Sequence, residues 1–179
     1  FLVEGAQAVR EALAEPSRVR ELFVTASARA RHSQIVDRAV ALGIDVHQAS
    51  GHVLAELSET VTPQGLVAVC DLIDVSLDDV LRPDARLAVV LAAIRDPGNA
   101  GTVVRTADAA GADIVAFSDT SVDPYNGKCV RASAGSLFHL PIVIGVSVAR
   151  AISALRESGF QVLAADGRTT LLVSRDQRV

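Results

Sequence analysis

The sequence predicts an α/β protein built from two successive units, and three observations support this. Half of the 179 residues are apolar, and they fall in short runs with the length of buried strands. The longest run spans residues 87–94, far short of the roughly 18–20 residues that a membrane-spanning helix needs. Strand-like and helix-like segments alternate twice along the chain, which is typical of sheets covered by helices.

The first unit, residues 1–70, is predicted to be a small α/β/α domain. Apolar residues at helical spacing predict a first helix over 4–14. The elements that follow are a strand at 19–25, a helix at 33–42 with Ser33 as N-cap and Gly43 as its stop, a strand at 44–47, a helix at 51–57 and a strand at 65–70. Residues 71–86 form the predicted linker, in which VSLDDVL is able to form a short helix.

The second unit, residues 87–179, repeats the alternation more strongly. Its first strand is apolar throughout, as expected of a parallel strand covered on both faces. The predicted elements are strands at 87–93, 113–117, 141–145 and 160–165, with helices at about 100–110, 125–136 and 148–158 between them. This order predicts a Rossmann-like parallel sheet with right-handed crossovers. The residues after Gly167 fit either a strand or the end of a helix.

The net charge of −4 is concentrated in the middle of the chain. Residues 41–100 carry nine acids and three arginines, whereas the flanking segments 1–40 and 101–179 each have one net positive charge. We interpret the middle stretch as a solvated acidic linker. The overall acidity therefore does not exclude a nucleic-acid partner for the arginine-rich ends.

Composition also indicates the cellular compartment of the protein and the kinds of site it can hold. Cys70 and Cys129 form neither a disulfide framework nor a CxxC site, which favours a reducing cytosol. The four histidines show no metal-ligand spacing, so no metal site is predicted. The start FLVEGAQAVREAL lacks the basic region of a signal peptide. A chain that begins at Phe1 and contains no Met is expected to be an incomplete reading frame.

The loop after the first strand of the second unit is the first candidate site, because ligands of open parallel sheets bind at the carboxyl ends of strands. Its sequence RDPGNAG includes Asn99, a residue able to cap the following helix. Arg105 lies six residues later and can reach back over the strand ends. GNAGTVVR is neither the dinucleotide-binding G-x-G-x-x-G nor a Walker loop. The plain alternative is an ordinary turn in which Arg105 pairs with Asp108 or Asp96.

A second candidate site follows the next strand at the same edge of the sheet. Lys128 and Arg131 are three residues apart and share a helix face, and Ser133 lies among small residues that permit close approach. With Tyr125 they suit contacts to phosphate and ribose, although a solvated basic helix end explains the pattern equally well. No serine lies in a nucleophile elbow, and Cys129 is expected to pack its helix against the sheet.

These segments together resemble one family. The run LAAIRDPGNAGTVVRTADAAGAD, followed by SDTSVDPYNGKCVRASAGSLFHLPIV, closely resembles the first signature region of SpoU-type (TrmH-like) RNA 2′-O-ribose methyltransferases of the SPOUT superfamily. The opening FLVEGAQAVREAL and the later TVTPQGLVAV, which contains Gln64 and Gly65, resemble that family's N-terminal substrate-binding domain. The similarity covers nearly all of residues 1–165.

The resemblance implies an S-adenosylmethionine-dependent transfer of a methyl group to a ribose 2′-hydroxyl of rRNA or tRNA, by a cytoplasmic homodimer. It makes Arg105 the catalytic residue, acting on the target hydroxyl with help from an RNA phosphate, and Asn99 the residue that orients Arg105 or the substrate. The residues implied to contact RNA are Lys128, Arg131, Ser133, Arg10, Arg29 and Arg31. The residues implied to border the methyl donor are Ala164 and Ala165.

The sequence departs from the family after the fourth predicted strand. Family members continue into a glycine-rich loop with a Glu and an apolar segment ending in Ser-Leu-Asn; these form a trefoil knot, hold most of the donor and build much of the dimer interface. Here the sequence reads LAADGRTTLLVSRDQRV and has neither. The 179 residues alone are therefore expected to bind the donor poorly and to be inactive. The alternative function is that of a non-catalytic RNA-binding α/β protein.

Overall fold

A four-stranded mixed sheet is the centre of the first unit. The computed structural model of the chain describes residues 1–58 and 63–165. The strands are β1 (Leu2–Glu4), β2 (Val19–Val24), β3 (Asp45–Gln48) and β4 (Leu66–Cys70), in the order β1-β4-β2-β3. β4 runs antiparallel to both neighbours, and β2 and β3 are parallel. The N–H of Cys70 donates to the carbonyl of Phe1 at 2.8 Å, so the start of β1 lies beside the end of β4.

Four short helices accompany this sheet. They are α1 (Ala6–Ala12), α2 (Ala26–Arg31), α3 (Ser33–Ala41) and α4 (Gly51–Leu57), with a 3₁₀ turn at Pro16–Arg18. The prediction for α4 was right to the residue, whereas β1 and α2 were not predicted. The assignment of Ser33 as N-cap was wrong, because His32 occupies that position and Ser33 is the first helical residue.

The predicted linker is only partly solvated. It contains one helical turn, α5 (Leu77–Val80), capped by Ser76. Leu77, Val80 and Ala85 are buried in an apolar cluster with residues of the second sheet, while the acids of this stretch are exposed or partly buried. The interpretation as a solvated linker therefore fits the exposed carboxylates of Asp78, Asp79 and Asp84 but not the apolar side chains.

A parallel sheet is the centre of the second unit. Its strands are β5 (Ala88–Leu91), β6 (Ile114–Ser118) and β7 (Ile142–Val146), in that order, and its helices are α6 (Pro97–Ala109), α7 (Gly127–Ser133) and α8 (Val148–Glu157), with a 3₁₀ turn at Ser136–Phe138. All five residues of β6 are buried, as expected of the central strand. This arrangement of two sheets confirms the predicted α/β fold class.

The predicted fourth strand at 160–165 is not observed. Phe160 is buried in the second apolar cluster and Val162 is partly buried against it, but residues 160–165 have no strand structure. An apolar run indicates burial, and a strand needs in addition a neighbouring backbone with which to exchange hydrogen bonds. The predicted continuation after Gly167 lies outside the described residues.

The two units share one apolar core. The larger cluster contains Leu22 and Leu66 of the first sheet together with Val115 and Ile142 of the second. Polar contacts add to this junction: His139 lies 2.8 Å from a carboxylate oxygen of Asp108 in α6 and 3.3 Å from one of Glu11 in α1. The predicted division at 1–70, 71–86 and 87–179 stays a prediction. None of the described helices has the length and apolar character needed to cross a membrane.

Candidate active site at the ends of β5 and β6

The first turn of α6 sits at the carboxyl end of β5. Asp96 is its N-cap, with Oδ1 accepting the N–H of Asn99 at 2.8 Å, and Pro97 takes the first helical position, where no backbone N–H is needed. The helix therefore begins three residues before the predicted start at Ala100. The expectation that Asn99 caps the helix was wrong, because Asn99 supplies the N–H that the true cap accepts.

Arg105 is exposed on α6, and neither of its proposed carboxylate partners is available to it. Asp96 Oδ2 lies 2.8 Å from Lys128 Nζ, and Asp108 Oδ2 lies 2.8 Å from His139 Nδ1. Across residues 1–58 and 63–165, no ion pair involves the Arg105 guanidinium. The alternative in which Arg105 pairs with Asp108 or Asp96 is thus not the observed arrangement.

Asn99 is also exposed, in the first turn of the same helix. Its separation of six residues from Arg105 corresponds to about one and two-thirds turns, so the two side chains leave α6 in directions about 120° apart. Both residues lie on α6, but they do not share a helix face. The roles assigned to them by resemblance stay predictions.

The three residues singled out on α7 have different surroundings. Lys128 pairs with Asp96, and Arg131 Nη1 lies 3.4 Å from Glu4 Oε2 in β1, a carboxylate whose side chain is only 9% exposed. Ser133 is fully buried, and its hydroxyl donates to the carbonyl of Val130 at 2.7 Å. Only Lys128 therefore reaches the first turn of α6, and the hydroxyl of Ser133 faces its own helix. The RNA contacts of all three stay predictions.

Helices α6 and α7 touch through their backbones at Gly101. A Cβ atom at that position would overlap the carbonyl oxygen of Cys129 and lie 2.7 Å from Cβ of Ala132. Only glycine therefore allows this approach. Cys129 is fully buried at the contact, and burial raises the pKa of its thiol to about 12, which fits the predicted packing role.

The electrostatics of the first turn centre on Asp96. The ammonium of Lys128 and the backbone N–H of Asn99 both donate to its carboxylate, and they hold the pKa of Asp96 below its usual range. At neutral pH the carboxylate is ionised and both of its oxygens are occupied.

A network of hydroxyls joins the loops that follow β5 and β6. Ser118 Oγ accepts the N–H of Ala93 at 2.9 Å, while Ser121 Oγ accepts the N–H of Ile94 at 3.2 Å and donates to the carbonyl of Leu91 at 2.9 Å. Ala93 has a positive φ of 55°, a conformation that costs a non-glycine residue about 1 kcal/mol and that the network holds in place.

Sequence reasoning missed Ser118, Ser121 and Asp96 as residues that shape the site. Their signal was present: SDTS directly follows an apolar strand, at the edge where such sites form, and an acid directly precedes a proline.

Tyr125 anchors the linker. Its hydroxyl donates to Asp74 Oδ1 at 2.7 Å and accepts the N–H of Ile73 at 2.9 Å. Burial, together with the bond to Asp74, raises the pKa of the phenol well above its usual value. The hydroxyl is therefore engaged in holding residues 73–74 against the second unit.

The three arginines predicted to contact RNA in the first unit are all exposed. Arg10 donates to Gln7 Oε1 at 2.8 Å, Arg29 lies on α2, and Arg31 donates to the carbonyl of Gln64 at 3.5 Å. The side chain of Gln64 accepts the N–H of Ala6 at 3.0 Å, so this glutamine secures the start of α1. RNA contact by the arginines stays a prediction.

Ala164 and Ala165 are exposed residues at the end of the described chain, outside any strand. Their contact with the methyl donor stays a prediction. Within residues 1–58 and 63–165, no group of three or more His, Cys, Asp or Glu side chains is placed to hold a metal ion.

Comparison with known proteins decides the family. Residues 86–176 match the SpoU rRNA Methylase family, and residues 2–74 match the RNA 2′-O ribose methyltransferase substrate binding family. This chain belongs to the SpoU rRNA methylase family. The resemblance noted from the signature region is thereby confirmed, as is the substrate-binding family of the first unit.

Individual family members show how far the similarity extends. The 23S rRNA (guanosine(2553)-2′-O)-methyltransferase RlmP of Bacillus subtilis is 38% identical over 143 residues, which are 80% of this chain and 53% of RlmP. The crystal structure of an AdoMet-bound rRNA methyltransferase from Sinorhizobium meliloti matches with a TM-score of 0.74 and 29% identity, over 90% of this chain and 59% of that one.

A third similar protein is the SpoU methyltransferase AviRb of Streptomyces viridochromogenes, whose crystal structure holds the cofactor AdoMet. It matches with a TM-score of 0.72 and 28% identity, over 88% of this chain and 59% of AviRb. The chain thus spans between half and three-fifths of the length of these relatives.

Proposed function

We propose that the protein transfers a methyl group from S-adenosylmethionine to a ribose 2′-hydroxyl of RNA, with rRNA as the first candidate substrate and tRNA as the second. The observation that carries this proposal is the exposed guanidinium of Arg105 at the candidate site, which has no ion-pair partner among the described residues although two carboxylates lie on or next to its helix. The match to a substrate-binding family over residues 2–74 supports RNA as the partner.

The chemistry of Arg105 fits a ribose target. A guanidinium stays protonated at neutral pH, so it donates hydrogen bonds and does not act as a base. It can anchor the phosphate next to the target ribose and stabilise the negative charge that develops on the 2′-oxygen. The hydroxyl proton would then pass to an RNA phosphate. Asn99, in the first turn of α6, would orient Arg105 or the ribose.

We expect the described residues to form only part of a donor site. Ala164 and Ala165 offer methyl groups for apolar contact, but their side chains supply no hydrogen bond to the polar parts of S-adenosylmethionine. The steps assigned to this chain therefore concern the RNA. Calorimetric titration of the 179-residue chain with S-adenosylmethionine tests the expectation of poor donor binding, and tight binding would refute it.

The experiment for the function uses the full-length gene product with S-adenosylmethionine labelled in its methyl group and transcribed 23S rRNA as acceptor. The wild type should transfer label to ribose, which alkaline hydrolysis detects because a 2′-O-methylated linkage resists cleavage. Arg105→Ala should lower kcat by about 10²–10³-fold, as expected for the loss of one donor that stabilises developing charge.

A matched control distinguishes the role of Arg105 from the general effect of removing an exposed arginine. Arg156 is an exposed arginine in the last turn of α8, and Arg156→Ala should leave kcat unchanged. Both variants should keep the free energy of unfolding within about 0.5 kcal/mol of wild type, because both side chains are exposed. Undiminished methyl transfer by Arg105→Ala would contradict the proposal. RNA binding without methyl transfer by the wild type would support the non-catalytic alternative.

We also propose that the protein forms a homodimer. A homodimer is the assembly that the family resemblance implies, and light scattering of the full-length gene product measures it directly. A monomeric mass at working concentration would refute the dimer without affecting the assignment of Arg105.

A further inference from the structure

Asp96 joins the two helices that carry the candidate site. Its Oδ1 accepts the N–H of Asn99 at 2.8 Å and closes the first turn of α6. Its Oδ2 accepts from Nζ of Lys128 on α7 at 2.8 Å. One carboxylate therefore fixes both the turn that presents Asn99 and the position of a cation from the neighbouring helix.

Gly98 lets Lys128 lie directly over this turn. A Cβ atom at Gly98 would lie 3.0 Å from Cε of Lys128 and 3.5 Å from its Nζ. Gly98 and Arg105 are seven residues apart, close to two full turns, so they share one face of α6 and are separated by about 10.5 Å along its axis. The ammonium of Lys128 and the guanidinium of Arg105 therefore belong to the same face of the helix.

The charge of Asp96 is not needed for capping. Where a side chain caps another helix in the described part of the chain, it is neutral: Thr25, Ser50, Ser76, Asn126 and Ser147. Serine and asparagine cap as well as aspartate does. What the carboxylate adds is a partner for Lys128, in a pair whose side chains are 55% and 46% exposed. Water screens such a pair, so it orients the lysine without contributing much to stability. An ammonium has three N–H donors, so the donors that Asp96 does not use can bind an RNA phosphate while the pair stays in place.

We propose that Asp96 is a positioning residue that holds the ammonium of Lys128 over the first turn of α6, where it meets an RNA phosphate on the face that carries Arg105. The identity of the nucleic acid rests on the proposed function. Asp96 acts through Lys128 and does not itself touch the reacting atoms.

The test is a double-mutant cycle in the full-length gene product with Asp96→Ser and Lys128→Gln. Serine keeps a capping oxygen and removes the carboxylate, so α6 should still form. Two quantities are measured for each variant: kcat for methyl transfer to transcribed 23S rRNA, and the Kd of a fluorescein-labelled RNA hairpin by anisotropy at several KCl concentrations.

Lys128→Gln should lower the slope of log Kd against log salt by about 0.7–0.9, the value for one phosphate contact, so the wild type should lose about threefold more affinity than this variant between about 50 and 200 mM KCl. Asp96→Ser should lower kcat about tenfold, the effect of a small misplacement of a substrate-holding group, with little change in KM. In the Asp96→Ser background, Lys128→Gln should change kcat and Kd much less than it does in the wild type, because the lysine is no longer held in place.

A matched pair elsewhere controls for the loss of an exposed ion pair. Arg150 Nη2 lies 2.8 Å from Asp78 Oδ1, and these side chains are 52% and 74% exposed. Asp78→Ser should leave kcat and the salt slope unchanged.

The outcomes separate the two proposals. If the effects of Asp96→Ser and Lys128→Gln are additive in both kcat and Kd, or if Asp96→Ser changes neither, the positioning role is refuted. If the wild type transfers no methyl group, the proposed function fails, and the cycle on Kd still decides whether Asp96 positions Lys128.

Discussion

Replacing Gly101 by alanine tests how closely α6 and α7 approach each other. The added Cβ would lie 2.7 Å from Cβ of Ala132 and 2.9 Å from the backbone nitrogen of Ser133, whereas non-bonded carbon atoms touch at about 3.5–4.0 Å. The shortfall means that α7 must move away by about 1 Å. Overpacking of this kind costs about 1–3 kcal/mol, and the usual gain of about 0.5–1 kcal/mol from Gly to Ala in a helix offsets part of it. We expect a net loss of about 1–2 kcal/mol.

Urea unfolding followed by circular dichroism measures this loss through the midpoint at constant slope. Gly51→Ala is the matched control, because Gly51 is also helical and a Cβ there meets nothing within 4 Å. That variant should be about 0.4–1 kcal/mol more stable than wild type. A Gly101→Ala midpoint equal to or above the wild-type midpoint, with Gly51→Ala behaving as expected, would show that the helices do not make this backbone contact.

Three further predictions concern the junction and the loops. The hydrogen bond to Asp108, and after it the bond to Glu11, raises the pKa of His139 against the opposing effect of burial. The stability difference between wild type and His139→Gln should therefore be fully present below the unfolded pKa of about 6.5 and disappear as pH rises through the raised pKa of the folded state. Urea midpoints of both proteins against pH measure this difference. A difference that grows with pH would contradict the prediction. Ser118→Ala leaves a loop N–H without its acceptor and should cost about 1–3 kcal/mol in urea unfolding, and an unchanged midpoint would argue against the hydroxyl network. Gly65→Ala and Gly43→Ala share the strain of a positive φ, 78° and 77°, but only the first meets neighbouring atoms; unfolding should show a larger loss for Gly65→Ala, and equal losses would refute the close contact.

Sequence pattern predicted the elements that are long or fully buried. The apolar runs around β4, β5, β6 and β7 identified strands, most clearly at β6, where every residue is buried because a central strand is covered on both faces. β1 and α2 have only three and six residues, too few for a periodic signal to show. The prediction of a strand at 160–165 was wrong because Phe160 and Val162 pack against the second apolar cluster without strand structure.

The sequence placed the candidate site in the loop at the end of β5, and its role as a site stays a prediction; the contacts within it could not be predicted. Asp96 and Asn99 are both good capping residues three positions apart, and Pro97 decided between them by fixing the first helical position. The partners of Asp96 and Asp108 lie 32 and 31 residues away, on segments whose placement depends on the tertiary fold. Local pattern therefore left Arg105 with two candidate partners, and the long-range contacts give both of them to other residues.

The hydrogen bond between Cys70 and Phe1 has an evolutionary consequence. The two ends of the mixed-sheet unit lie side by side. This is the geometry of a cassette, a unit that recombination can exchange for a similar one. An exchanged cassette would have to keep two carboxylates, because Glu4 meets Arg131 and Glu11 meets His139 across the junction. A chimaera that carries a relative's first unit with these two acids should dock on the second unit. If the proposed function is right, such an exchange should change which RNA is bound while leaving Arg105 and its helix untouched.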